Sequence, residues 1–180
     1  MKLLVLAHDN FNDMELTTTI SILERSKLLQ NVTYYNPSKK IIKGQHNIVK
    51  LNCVNTFKIE EFDAIFIPGG KGTKLLRQDS VAIKNINDFK NSNKYIFAIC
   101  DAPNVLFENK IINENIPFSS YPIDSIKNIL SKRNDFAATA FNKIITGKGP
   151  AASTEFALLI LKVYYDEKIS EKIRKEIYAI

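Results

Sequence analysis

The clearest change from strand to helix in this sequence lies at residues 95–107, which read YIFAICDAPNVLF. The stretch opens with apolar, β-branched and aromatic residues, as a buried strand does, and closes with apolar residues at helical spacing. Cys100 falls at the corner between the two patterns. Ala98 and Ala102, two positions away on either side, are the small neighbours that such a corner needs. The stretch therefore predicts a nucleophile elbow that carries a thiol instead of a hydroxyl.

An elbow of this kind would aim the Cys100 thiol out of the sheet, toward the N-terminus of the next helix. Unpaired N–H groups and the positive end of the helix dipole favour a thiolate there, so we expect an acidic and reactive cysteine. The alternative is that Cys100 packs at the end of a buried strand, because free cysteine is among the most buried residue types. The stretch by itself leaves both interpretations open.

Short apolar runs alternate with helical patterns along the rest of the chain. Strand patterns lie at residues 3–7, 32–35, 62–67 and 144–146, and helical spacing lies at residues 14–28, 75–89, 156–163 and 169–177. Residues 41–54 instead read as two short strands around a turn with Gly44, which predicts a small β-hairpin at the sheet edge. The alternation predicts an α/β fold with a doubly wound, mainly parallel sheet and helices on both faces.

The ligand crevice of such a sheet lies outside the carboxyl ends of its strands. Five residues with chemical potential fall at those ends in the predicted sheet: His8, Gly69, Gly70, Cys100 and Gly147.

Glu15, early in the first helix, is positioned to reach the same crevice; the alternative is that its carboxylate only complements the helix dipole. The N–H groups of Gly70 and Asp101 would face the thiol as the two donors of an oxyanion hole. Attack of Cys100 on a carbonyl carbon would then be chemically reasonable.

Composition narrows the classes of function. The chain has 180 residues, 45% of them hydrophobic, which we expect to form a single domain over residues 1–180. Two cysteines and two histidines without paired spacing predict neither a disulfide nor a metal site. The net charge of +6 comes from scattered lysines, which favours a solvated surface over specific nucleic-acid binding.

Targeting and cofactor signals are also missing from the sequence. The apolar residues 1–9 are too few for a signal peptide or a membrane span, so we expect no membrane association and take cytoplasmic residence as the default. Residues 147–150, GKGP, lack the Gly-x-Gly-x-x-Gly spacing of a phosphate loop and read as a tight turn into a helix. We therefore predict no cofactor.

Four motifs in chain order resemble the DJ-1/PfpI family, most closely its DJ-1/ThiJ-like branch within the class I glutamine amidotransferase-like superfamily. They are DME at 13–15, IFIPGG at 65–70, AICDAP at 98–103, and GP at 149–150 followed by STEFA at 153–157. The similarity is collinear over nearly the whole chain. It implies a flavodoxin-like sandwich that is usually a homodimer.

The resemblance also implies a role for each matched residue. Cys100 corresponds to the family nucleophile, Glu15 to its protonated carboxyl partner, and Gly70 with Asp101 to the backbone donors. Activities in the branch are cofactor-free conversion of glyoxal or methylglyoxal to hydroxy acids, deglycase activity, and redox sensing through oxidation of the cysteine to a sulfinate. The expected partners are therefore small carbonyl compounds or oxidants, and we favour an enzyme over a sensor without turnover.

Departures from the family pattern bear on the chemistry. Tyr121, before Pro122, stands where relatives often have a histidine, and a phenol is a poor base near neutral pH, which weakens the glyoxalase assignment. Asp101 stands where protease-like members carry histidine, which argues against a Cys-His peptidase. Tyr121 and His8 are kept as auxiliary groups. A purely structural or interaction role is the third possibility, and the substrate and the dimer face stay open.

Overall fold

Strands and helices alternate around one central sheet. The computed structural model describes residues 1–123 and 132–180. The described strands are β1 (Lys2–Leu6), β2 (Asn31–Tyr35), β3 (Ile41–Lys43), β4 (Lys50–Asn52), β5 (Ala64–Ile67), β6 (Tyr95–Ile99), β7 (Phe118–Ser119), β8 (Arg133–Asn134), β9 (Ala138–Phe141) and β10 (Ile144–Gly147). The described helices are α1 (Asp13–Arg25), α2 (Thr73–Leu76), α3 (Ser80–Asn91), α4 (Ala102–Glu108), α5 (Ser153–Tyr164) and α6 (Glu167–Tyr178).

The central sheet has six strands in the order β2-β1-β5-β6-β10-β9. Neighbouring strands run parallel except β10 and β9, which run antiparallel. The chain moves from β1 outward to β2 and then returns to β5 on the other side, so the strand order reverses between β1 and β5. The predicted doubly wound, mainly parallel, flavodoxin-like fold is confirmed. Strand β9 was not predicted, because its sequence ATAF carries too little apolar pattern.

Successive side chains of each central strand enter two different cores, as the pleat requires. In β1, Leu3 and Val5 pack into the core that α1, α5 and α6 cover. Leu4 and Leu6 pack into the opposite core, which α2, α3 and α4 cover. Because both faces are buried, the central strands read as continuous apolar runs, and this is why they are recognisable from sequence.

The predicted hairpin is present as β3 and β4, which form a separate two-stranded antiparallel sheet. A single bridge, between Tyr35 and Val54, joins it to the edge strand β2. Its turn lies over the carboxyl ends of the central strands, where the Gln45 N–H donates to the Phe11 carbonyl at 2.8 Å. The hairpin is thus a cover for the crevice and not an added strand of the central sheet.

A second small sheet, β7 with β8, lies beside β10 and β9. In the described residues, no helix has the length and apolar character needed to cross a membrane. Within the same residues, no three His, Cys, Asp or Glu side chains come together in a group that could hold a metal ion.

Candidate active site

Cys100 occupies the turn between β6 and α4. Its φ of +64° lies in the left-handed region, which costs a non-glycine residue about 1–2 kcal/mol and therefore needs support from its surroundings. Two backbone hydrogen bonds supply that support: the Cys100 N–H donates to the Gly147 carbonyl at 2.9 Å, and the Tyr121 N–H donates to the Cys100 carbonyl at 2.7 Å. Ala98 and Ala102 on either side are fully buried.

Glu15 reaches the same point from the first turn of α1. Asn12 caps this helix, and its Oδ1 accepts the Glu15 N–H at 3.2 Å. The Glu15 side chain is 0% exposed, and its Oε2 accepts the Gly69 N–H at 2.7 Å. A methyl group placed on Gly69 would meet Cys100 Cβ at 2.5 Å and Glu15 Oε2 at 2.8 Å, so the carboxyl and the thiol lie side by side.

Burial sets the protonation of this pair. It raises the pKa of Glu15 to about 7, against the opposing hydrogen bonds from Cys100 and Gly69. It also raises the pKa of the Cys100 thiol, and the neighbouring Glu15 carboxylate raises it further. The expectation of an acidic thiol is therefore wrong in direction. Helix α4 has only seven residues, and its dipole is outweighed by desolvation and by the Glu15 charge.

Two backbone N–H groups complete the surroundings of the sulfur. The backbone N–H groups of Gly70 and Asp101 favour the ionised thiol and lower the pKa of Cys100, but burial and Glu15 raise that pKa by more. Gly70 has φ +93°, a conformation that residues with side chains rarely adopt, so this turn favours glycine. An oxygen developing negative charge beside the sulfur would find two donors.

The Asp101 side chain forms a network that sequence reasoning missed. Its two carboxylate oxygens accept both terminal nitrogens of Arg77, at 2.7 and 2.8 Å, together with Thr73 Oγ1 at 2.7 Å and Asn104 Nδ2 at 2.9 Å. Burial opposes the ionised form, but these hydrogen bonds outweigh it and hold the pKa of Asp101 below its usual value. One signal was available: Thr73 and Arg77 are four residues apart on a helical stretch next to the Gly69-Gly70 turn.

Cys100 borders a cleft of about 480 Å³, although the residue is only 7% exposed. Polar and ionisable groups in its wall are Asn12, Gln45, Lys71, Thr73, Lys74, Arg77, Asp101 and Tyr121, and apolar contributions come from Ile123 and Pro150. Tyr121 is 48% exposed and forms part of this wall, so the structure brings it to the predicted site.

His8 lies elsewhere. Its Nε2 is 2.9 Å from Asp79 Oδ2, and the two residues line a different cavity, of about 500 Å³, which Cys100 does not border. The structure therefore brings together Cys100, Glu15, Gly70, Asp101 and Tyr121, and it does not bring His8 to them. The roles assigned to these residues from sequence stay predictions.

Comparison with known proteins places this geometry in context. The sequence model described as "DJ-1/PfpI family" matches residues 1–163. "Uncharacterized protein MG029" of Mycoplasma genitalium is 37% identical over 99% of this chain and 96% of its own length. "Glutathione-independent glyoxalase DJR-1.2" of Caenorhabditis elegans is 29% identical over 89% of this chain and 86% of its own. "Protein/nucleic acid deglycase 2" of Escherichia coli is 30% identical over 62% of this chain and 66% of its own.

Solved structures share the fold. "Toxoplasma gondii DJ-1, oxidized" superimposes with a TM-score of 0.80 at 24% identity, covering 98% of this chain and 97% of that one. At this identity the likeness concerns the arrangement of strands and helices, and the chemistry has to be argued from the residues present in this chain.

Proposed function

Since this chain belongs to the DJ-1/PfpI family, we propose that it converts small reactive 1,2-dicarbonyl compounds, such as methylglyoxal, to hydroxy acids without a cofactor. Relatives named for glyoxalase and deglycase activities support this class of substrate. The observation that carries the proposal is the placement of the Cys100 side chain beside the buried Glu15 carboxyl group, next to Gly70 and Asp101 in the wall of an open cleft.

The first step is addition of the thiol to the aldehyde carbon. A thiol with a raised pKa needs a base, and Glu15, with a pKa of about 7, is matched to accept its proton near neutral pH. As the S–C bond forms, the S–H proton moves to Glu15 and the carbonyl oxygen becomes an alkoxide. The Gly70 and Asp101 N–H groups stabilise that oxygen. Activation by a neighbouring base thus replaces the stable thiolate expected from sequence.

The second step moves a proton between the two carbons. Glu15 returns its proton to the alkoxide, which yields a hemithioacetal and restores the carboxylate. The carboxylate then takes the C–H proton of that carbon, which leaves an enediolate, and Glu15 returns this proton to the adjacent carbon. Glu15 next carries the hydroxyl proton of the first carbon to the oxygen of the second, which forms the thioester carbonyl and the 2-hydroxyl group. The product is a thioester of a 2-hydroxy acid on Cys100. Water cleaves the thioester, so methylglyoxal and water become lactate with no external oxidant or reductant.

This role for Glu15 removes the need for the histidine that Tyr121 replaces. One buried carboxyl group accepts and returns each proton in the scheme. A Cys-His peptidase mechanism has less support, because the Asp101 carboxylate next to the cysteine is engaged by Arg77 and offers no base.

Lactate formation from methylglyoxal tests the proposal. Wild type, Cys100→Ala and Cys53→Ala would be assayed at the same concentration of folded protein, with chiral analysis of the product. Turnover should fall at least about 1,000-fold in Cys100→Ala and stay within about twofold in Cys53→Ala, because only the first removes the nucleophile. Equal rates in wild type and Cys100→Ala would contradict the proposal.

A second candidate is a redox sensor without turnover, and the raised pKa of Glu15 favours it. A carboxyl group that holds its proton near neutral pH can donate a hydrogen bond to a sulfinate on Cys100. Two equivalents of peroxide would oxidise the thiol to the sulfinic acid and release two of water. Peptide mass analysis after mild peroxide should then show two added oxygens on Cys100, and oxidation confined to Cys53 and the methionines would rule this candidate out.

A further inference from the structure

The two residues that donate N–H groups to the site are tied together by side chains outside it. Thr73 Oγ1 lies 2.8 Å from the Gly70 carbonyl oxygen and 2.7 Å from Asp101 Oδ2, so its single proton is shared between two acceptors and the hydroxyl contacts both segments. Arg77 grips the same Asp101 carboxylate with both terminal nitrogens. The loop after β5 and the turn after β6 are thereby fixed relative to each other.

Arg77 is itself held from the far side. Its Nε donates to Glu108 Oε2 at 2.8 Å and its Nη2 to Glu108 Oε1 at 3.1 Å, so the guanidinium spans from the Asp101 turn to the end of α4. A planar guanidinium that makes paired bonds to two carboxylates has little freedom to rotate. The Arg77 side chain is 25% exposed, which leaves its charge only partly screened, and it lines the cleft that Cys100 borders.

We propose that Arg77 and Thr73 are positioning residues that hold the Gly70 and Asp101 N–H groups aimed at one point beside the Cys100 sulfur. The proposal rests on the function proposed above. It explains how the two N–H groups of the oxyanion hole are held in position relative to the sulfur. Arg77 has a second effect, because its positive charge offsets the Asp101 carboxylate next to Cys100 and Glu15. Without it, an uncompensated negative charge would oppose ionisation of the thiol.

The test compares Arg77→Met, Arg77→Lys, Thr73→Val and Thr73→Ser in two assays. In the methylglyoxal assay, Arg77→Met should lower kcat about 30-fold and Thr73→Val about tenfold with KM within threefold, less than the loss of a whole donor. Thr73→Ser should recover most of the activity because it keeps the hydroxyl. Arg77→Lys should recover it only in part, since an ammonium group restores the charge but not the paired geometry.

The second assay is the pH profile of Cys100 alkylation by iodoacetamide, read by mass analysis of its peptide. The midpoint should move up by about one pH unit in Arg77→Met and little in Thr73→Val, because only the first removes a charge. Arg174→Met is the matched control: Arg174 makes the same paired contact, at 2.8 and 2.7 Å, with Glu155 on the other face of the molecule. It should lower stability and leave both assays unchanged.

Each outcome decides something. If folded Arg77→Met has the kcat and the alkylation profile of the wild type, the positioning proposal is overturned. If the wild type turns over no dicarbonyl, the proposed function fails, and the alkylation profile still tests whether the Arg77 charge favours ionisation of the thiol. If Arg77→Met does not fold, Arg77→Lys and Thr73→Val decide, and wild-type behaviour of both in both assays overturns the proposal.

Discussion

The first turn of α1 carries two buried carboxyl groups that serve two different regions of the molecule. Asp13 closes the turn of the β3–β4 hairpin, where its oxygens accept the N–H groups of His46, Ile48 and Val49 at 2.9, 3.2 and 2.8 Å. Glu15, two residues later, faces the interior and accepts one backbone N–H. The same helical turn thus anchors the hairpin that covers the crevice through Asp13 and places the Glu15 carboxyl group beside Cys100.

The two carboxyl groups differ in the direction of their pKa shifts. Burial alone would raise the pKa of Asp13, but the three N–H groups of the hairpin outweigh it and lower that pKa. Burial raises the pKa of Glu15 to about 7, because a single N–H and a thiol cannot offset it. Deeper desolvation and fewer N–H donors together distinguish Glu15, as a candidate proton carrier, from the structural anchor Asp13.

The largest expected effect is on turnover. Glu15→Gln should lower kcat for methylglyoxal by about 1,000-fold, because the amide cannot accept the thiol proton. The same change should lower the midpoint pH of Cys100 alkylation, since it removes the carboxylate that opposes ionisation of the thiol. Asp13→Asn, assayed beside it, should keep kcat within threefold. An equal loss of kcat in both variants would contradict the assignment of Glu15 as proton carrier and Asp13 as structural anchor.

A smaller effect is expected on stability. Asp13→Ala should lower the free energy of unfolding by about 3–4 kcal/mol, because three hydrogen bonds to a charged acceptor are lost together. Urea unfolding followed by circular dichroism measures it, and Glu15→Gln at pH 5 is the control, with a change below about 1 kcal/mol expected for a near-isosteric neutral side chain. A loss in Glu15→Gln as large as in Asp13→Ala would show that both groups are anchors.

The pH dependence of stability should differ in sign between the two groups. The folded protein binds a proton at Glu15 more tightly than the unfolded chain, so stability is present below about pH 4.5 and falls as the pH rises through about 7. A rise from 4.5 to about 7 corresponds to about 3 kcal/mol. Asp13 acts oppositely, since its lowered pKa means that stability is lost as the pH falls.

Urea unfolding between pH 4.5 and 8 in wild type and Glu15→Gln isolates the Glu15 contribution. The variant should match the wild type at pH 4.5 and gain on it by about 3 kcal/mol by pH 8, because it has no buried carboxyl group to ionise. Curves that stay parallel over this range would mean that Glu15 titrates as an ordinary carboxyl group.

The smallest effect is expected from changing Asn12, which caps the N-terminus of α1, the helix that carries both carboxyl groups. Asn12→Ala removes the cap that accepts the Glu15 N–H and should cost about 1 kcal/mol in unfolding free energy. The alkylation midpoint of Cys100 should stay within about 0.3 pH units, since the Gly69 N–H still holds the carboxyl group. A larger shift would indicate that the cap, and not Gly69, positions Glu15.

Most of the architecture could be predicted from the local sequence pattern. The central strands are apolar on both faces, so β1, β5 and β6 were recognisable as continuous runs, and turn residues between them separated the helices. Strand β9 was not predicted because ATAF is short and consists mostly of small residues. Its pairing with β10 also depends on contacts that no local pattern encodes. The organisation of residues 1–180 as a single domain, the homodimer and the cytoplasmic location stay predictions.

The site was less accessible to sequence reasoning than the fold. Cys100 and Glu15 could be singled out because each follows a strand end, but the direction of the thiol pKa depends on their mutual distance and burial, which a sequence does not give. Arg77 was missed for the same reason: its partner Asp101 lies 24 residues away. The anchoring role of Asp13 also depends on contacts with His46, Ile48 and Val49, which are more than 30 residues away in the chain.

One consequence follows from the two bonds that pin the Cys100 peptide, its N–H to Gly147 and its carbonyl to Tyr121. Because both bonds hold the Cys100 backbone, this residue does not shift when a ligand binds, and the ligand has to move to the sulfur. For the reaction proposed above, this means that the aldehyde carbon has to be brought to a sulfur whose backbone is already fixed.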